Sequence, residues 1–308
     1  MLANFFGKSK PVNFIIIIVL FLMYYGISLF ATDFAITQDG FIVNSGISLL
    51  LCLVLFFLFN FILTKNKLTH DNSYAFLLFV GFLGMMPVIN LNYDALFVYI
   101  IILFSLRRVY SIKSSKSILE KLFDSGFWFG IAFLLEPSTI VFGVLIYSAI
   151  ALFLKITLRT ILIPIIGFVT PVFLYFTYGL FFDMKSVSEL RIGDLSGLNY
   201  EFYQTEFYSI ILGAMLLLVL ASIMFSAGRI FSVSNKFKRS WVLVLLNFIS
   251  AIFFIGLVHE KTGVELMMVF IPASIIIANW IQFVEKKLVV NILLLLFLLF
   301  SFAMHFII

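Results

Sequence analysis

The chain has 308 residues, 63% of them hydrophobic and 11% charged, with a mean hydropathy of +1.19. Soluble domains average about 45–50% apolar and roughly 25% charged, so this composition excludes one. The net charge of +5 does not imply nucleic acid as a partner, because the basic residues follow a topological pattern set out below.

A bilayer-spanning helix needs about 20 apolar residues. Length and breakers predict eleven spans, at 12–31, 44–64, 73–89, 94–108, 122–136, 138–155, 160–180, 207–228, 240–258, 265–283 and 288–307. The expected fold class is all-α, a polytopic transmembrane helical bundle forming one integral-membrane domain over 1–308. Lys8 and Lys10 precede the first run as in a signal sequence. That run exceeds a typical signal core and lacks an A-x-A site, which predicts an uncleaved span. The first two runs form a hairpin around the polar loop ATDFAITQDGFIVNS, which carries Asp33 and Asp39. The single cysteine, Cys52, lies inside the second run, so no internal disulfide is possible. The runs at 94–108 and 122–136 are short, and the second contains glycine. It meets the next run at Glu136-Pro137, where proline disfavours helix in the preceding residue. One sizeable loop, 181–206, contains a segment, Val187–Leu195, patterned as a short amphipathic helix lying on the membrane. Its end brings Phe202, Tyr203, Phe207 and Tyr208 to the interface.

With the N-terminus inside, eleven spans place 17 of the 20 Lys and Arg residues in inside turns, leaving Lys185, Arg191 and Lys261 outside. The positive-inside rule predicts this distribution, and dropping one short span would destroy it. The expected topology is therefore inside start, outside end, in a bacterial inner membrane. The acids are skewed the other way, with eleven outside and four inside. Acidic residues contribute little to topology. Either outside turns simply need polar residues, or the outer face carries a site that uses carboxyl groups.

Three outer places carry candidate chemistry. The first is Asp33 with Asp39, six residues apart and so not a DxD metal motif. A lone carboxylate acting as a base needs only reach and a suitable pKa. The second is the turn Asn90-Leu91-Asn92-Tyr93-Asp94, in which Asp94 is placed to cap the helix that follows. The third is His259-Glu260-Lys261, followed by Glu265, with His259 and Lys261 suited to a phosphate. Glu136 joins this set because a carboxylate between two apolar runs needs a partner. Each place also reads as a solvated turn. His70, His259 and His305 lie far apart, which argues against a histidine metal cluster. No cofactor is implied, and a divalent metal has weak support. Acids concentrated at span ends, not mid-span, count against an ion-coupled transporter.

The stretches LNYDALFVYIIILFSLRRVY, FDSGFWFGIAFLLEPSTIVFGVLIYSAIAL and HEKTGVELMMVFIPAS together resemble the order of features in the integral-membrane glycosyltransferases of the GT-C class. That class has an acid in its first outside loop and transfers a sugar from a polyprenyl-phosphate carrier. The resemblance implies Asp33 as catalytic base and Asp94 as a second acid positioning acceptor or metal. Lys185, Arg191, His259 and Lys261 would bind the carrier phosphate, with Asp39, Asn90, Asn92, Glu136, Glu260 and Glu265 as further polar residues of that face. Where the class has an aromatic and an arginine after its histidine, this chain has Val264, Glu265 and Leu266. The N-terminal wording FFGKSKPVNFIIIIVLFL is similar to that of an uncharacterised membrane-protein family of Bacteroidota. Eleven acids against three bases would repel a phosphate. The competing expectation is therefore a non-catalytic subunit or scaffold that packs against other inner-membrane proteins and lipids, with transport third.

Overall fold

The structure, a computed structural model, describes residues 2–31, 41–86, 92–114, 116–181, 198–230, 232–259 and 261–304. Regular structure among them is helical: α1 (Leu2–Phe6), α2 (Pro11–Ala31), α3 (Phe41–Lys65), α4 (Tyr74–Gly84), α5 (Tyr93–Ser111), α6 (Ile118–Leu135), α7 (Gly143–Phe153), α8 (Leu158–Phe181), α9 (Glu206–Ile230), α10 (Asn235–Leu257), α11 (Met267–Ile281) and α12 (Lys287–Ala303). After the short α1, each helix falls on one of the eleven apolar runs. Among the described residues, six stretches are long and apolar enough to cross a membrane: Pro11–Leu29, Ile42–Lys65, Leu158–Phe181, Glu206–Ser226, Asn235–Leu257 and Val264–Ile281. α4, α12 and the stretch Pro137–Phe153 are apolar but shorter. α5 runs past the apolar run 94–108 to Ser111, with Arg108 in its last turn, and α6 starts at Ile118, ahead of the run 122–136, with Glu120 in its first turn. The break at Glu136-Pro137 is present, with Glu136 extended (φ −144°, ψ 100°) and a 3-10 turn over Pro137–Phe142.

The chain divides into two compact units. The first comprises Met1–Leu96, Glu201–Lys238 and Thr262–Ile308. At its heart lie α4, buried at every residue, and α11, buried at all but Trp280. Both are predominantly apolar on every side, the signature of a helix enclosed by other helices, and the buried Asn279 of α11 donates to the Leu68 carbonyl at 3.1 Å. Phe82 of α4 stacks on Phe270 of α11 at 5.1 Å and meets Phe297 of α12 edge-on at 5.0 Å. Phe79 of α4 meets Phe59 of α3 at 4.5 Å. Cys52 is a buried thiol on α3. Lipid tails are as apolar as leucine, so van der Waals fit and buried hydrogen bonds hold such helices together. Ser301 donates to the Gly81 carbonyl (2.7 Å), and Tyr74 to the Ala3 carbonyl (2.7 Å).

The second unit comprises Phe97–Tyr200 and Arg239–Lys261. Its tightest pairing is α6 against α8. Gly126 and Gly130, four residues apart on α6, face the α8 backbone at Pro164 and Phe168, and Gly167 on α8 faces the α6 backbone at Phe123. A Cβ at Gly126 would overlap the Pro164 carbonyl, one at Gly130 would lie 2.5 Å from the Phe168 carbonyl oxygen, and one at Gly167 would overlap the Phe123 carbonyl. Small residues in this spacing let two membrane helices approach backbone to backbone.

At the end of α5, Lys121 donates from Nζ to the carbonyls of Ser111 (2.9 Å) and Ser114 (3.0 Å) and to the Ser114 hydroxyl (2.6 Å). An ammonium at a helix C-terminus satisfies carbonyls that lack intrahelical donors. Burial, and then the nearby Arg108, push this lysine below its ordinary pKa. Arg108 pairs instead with Asp124 at 2.7 Å. Lys121→Met is expected to destabilise the protein by about 1 kcal/mol, because it leaves those acceptors without their donor. Thermal unfolding in detergent checks it, and a melt equal to wild type contradicts the capping role.

Candidate functional site

Among the described residues, three of the polar groups predicted for the outer face lie in two bonded clusters, Glu265 in the first unit and Lys261 with Glu136 in the second. In the first unit the centre is Glu265, 1% exposed. It sits in a 3-10 turn over Val264–Leu266, which follows Gly263 in a left-handed conformation (φ +88°). Glycine suits that position because L side chains rarely adopt it, and a Cβ there would also run into the Tyr208 ring. The Glu265 carboxyl accepts from the Tyr203 hydroxyl. It also accepts from the Thr262 backbone N–H (3.2 and 3.3 Å) and the Thr262 hydroxyl (3.3 Å). Thr262-Gly-Val-Glu265 is thus a capping arrangement in which the acid reaches back to an N–H three residues earlier. Tyr203, Tyr208, Phe202 and Phe207 form a ring cluster beside it, with Phe202 and Tyr208 5.0 Å apart.

In the second unit the centre is the C-terminal end of α10. The last carbonyls of a helix have no intrahelical donors, and here side chains and backbone from separate segments supply them. Lys261 Nζ donates to Ile255 (2.8 Å), Gly256 (3.2 Å) and Val258 (2.8 Å). The Ser138 hydroxyl donates to Leu257 (3.1 Å), and the Asn199 N–H to Gly256 (3.0 Å). The Tyr200 hydroxyl donates to Ile252 (3.2 Å), and burial raises this phenol above its ordinary pKa. Glu136 caps the following 3-10 turn by accepting from the Ser138 N–H at 3.2 Å.

Asp94 is exposed in the first turn of α5. The capping expected of it is performed by Asn92, whose Oδ1 accepts from the Ala95 N–H at 3.1 Å. An N-cap side chain must sit just ahead of the first turn to reach these N–H groups, and Asp94 is already within it. His259 is exposed just after α10. Asp33, Asp39, Asn90, Lys185, Arg191 and Glu260, and the segment 187–195, lie outside the described residues. Among the described residues, no three His, Cys, Asp or Glu side chains converge as a metal site would require. Thr262, Ser138 and Tyr200 were not among the residues singled out by sequence. The T-x-x-E pattern of Thr262 and Glu265 carried a signal, whereas the contacts of Ser138 and Tyr200 with α10 are tertiary.

These features define an all-helical chain with several helices fit to cross a membrane and with its polar helix ends heavily cross-bonded. The chain belongs to a family of unknown function, DUF6427, whose model matches residues 1–308. No curated protein and no solved structure matches it.

Proposed function

We propose that this chain is a multi-pass protein of a bacterial inner membrane and acts there as a non-catalytic subunit or scaffold of a larger membrane assembly. On this reading it crosses eleven times, with the N-terminus inside and the C-terminus outside, as its basic residues are distributed. The observation that carries the scaffold role is the use made of the polar groups. Glu265 is tied to Tyr203 and Thr262, Lys261 to three carbonyls, and Glu136 to a backbone N–H. A glycosyl transfer needs a carboxylate with reach to an acceptor and a cation with donors for a carrier phosphate. Framework bonds already occupy these three groups.

A GT-C-like transferase that takes a sugar from a polyprenyl-phosphate carrier is the second reading. The exposed carboxyl of Asp94, at the N-terminal end of α5, favours it. The experiment is purification of the full chain from its native membrane in mild detergent, with Asp33→Asn and Asp94→Asn compared in cells. A stoichiometric membrane-protein partner, retained by both variants with unchanged phenotype, is expected. A monodisperse monomer with no partner overturns the scaffold. A folded Asp33→Asn variant that has lost function moves the assignment to the transferase.

A further inference from the structure

We infer that the first unit carries a site for the phosphodiester headgroup of an anionic phospholipid, between the end of α9 and the connection from α11 to α12. A cavity of about 330 Å³ lies there, walled by Phe225 and Arg229 of α9, Trp280 of α11, and Phe283, Lys286 and Val289. Its walls are of two kinds. One is aromatic, with Phe225 stacked on Trp280 at 5.9 Å and 19°. The other is cationic, formed by the Arg229 guanidinium and the Lys286 ammonium.

The depth of the cavity suits a headgroup. α9 carries an apolar stretch long enough to cross a membrane, and Arg229 stands in the last turn of the helix. Phe225 is 67% and Leu288 68% exposed, so apolar surface flanks the cations on both helices. Basic pockets between helices at this level are where phospholipid phosphates bind. The volume holds a phosphate and its ester oxygens, while acyl chains would lie along the exposed apolar faces. A free phosphate shares the charge chemistry but has no use for the aromatic wall.

The guanidinium is held in place beforehand. It donates to the Phe283 carbonyl and to Glu285 at 2.9 Å. Phe283 is itself set edge-on to His70 at 6.0 Å. Of the five N–H donors of an arginine, two are used in these bonds and three remain. Glu285 is the one acid of the wall. Its side chain is 83% exposed, and an ion pair that open is weak, so a phosphate can displace it. The site is independent of the scaffold reading and would serve a transferase equally.

The test is native mass spectrometry of the full-length chain in detergent, titrated with phosphatidylglycerol, phosphatidylcholine or inorganic phosphate. Phosphatidylglycerol is expected to be retained well above phosphatidylcholine. Arg229→Gln should cut that retention about tenfold through loss of charge-assisted hydrogen bonds. Glu285→Gln should raise it, because it frees the guanidinium, and a gain in binding cannot come from misfolding. Lys238→Gln, outside the cavity wall, should leave it unchanged. Equal retention of the two lipids, or an Arg229→Gln variant that binds like wild type, overturns the site. Inorganic phosphate that competes as strongly as phosphatidylglycerol overturns the lipid assignment in favour of a soluble anion.

Discussion

Gly126→Leu is expected to abolish the folded protein, while Gly213→Ala leaves it intact or slightly more stable. At Gly126 even a methyl group overlaps the Pro164 carbonyl, which is backbone and cannot rotate aside. Overpacking a well-fitted core costs about 1–3 kcal/mol where side chains can yield. Here two helix backbones must separate, and Gly130 and Gly167 lose their close approach with them. At Gly213 nothing lies within 4 Å of the added carbon, and alanine favours a helix interior by up to about 1 kcal/mol over glycine. Size-exclusion profiles of detergent extracts after graded heating separate the two cases. A Gly126→Leu variant that elutes and melts like wild type would show that α6 and α8 do not pack through these glycines.

Glu265→Leu is expected to destabilise the first unit by about 2–4 kcal/mol, since it strands the Tyr203 hydroxyl and the Thr262 N–H without their acceptor. Leucine replaces the buried volume, so the loss reports hydrogen bonding more than packing. Tyr203→Phe removes one of the same bonds and should cost about 1–2 kcal/mol. Groups that share a partner do not contribute additively. The double variant Glu265→Leu with Tyr203→Phe should therefore fall short of the sum of the two single effects. Strict additivity in thermal or denaturant unfolding would mean that the tyrosine and the acid are not coupled.

The positions of the helices could be read from the sequence because a membrane span announces itself by apolar length and by its breakers. α8, α9 and α10 coincide with runs found that way, and Glu136-Pro137 marked its break through the backbone restriction of proline. Lateral arrangement could not be read, since helices apolar on all sides carry no stripe to show which face meets a neighbour. α4 and α11, the two most enclosed helices, look no different from α2 in hydropathy. The spacing of Gly126 and Gly130 is a lateral signal that the sequence does carry. At the candidate site, residue type alone identified Glu265, Lys261 and Glu136 but could not separate a poised ionisable group from one consumed in capping. That distinction depends on whether Tyr203, Ser138 and the end of α10 are within reach. Asp94 was assigned the role of Asn92 because both are good capping residues two positions apart, and sequence places a helix start only to within a few residues.

α4 and α11 pack together although 182 residues of chain, 85–266, separate them. During synthesis α4 must wait for its neighbour. At 11 residues it is about 16 Å long, roughly half the hydrocarbon thickness of a bilayer. A ribosome that stalls before residue 264 leaves a short, greasy segment walled by α2 and α3 but not yet by α11. Such nascent chains are natural clients for membrane chaperones and quality-control proteases, and the late appearance of α11 makes completion of the polypeptide the step that commits this half of the protein to its native state.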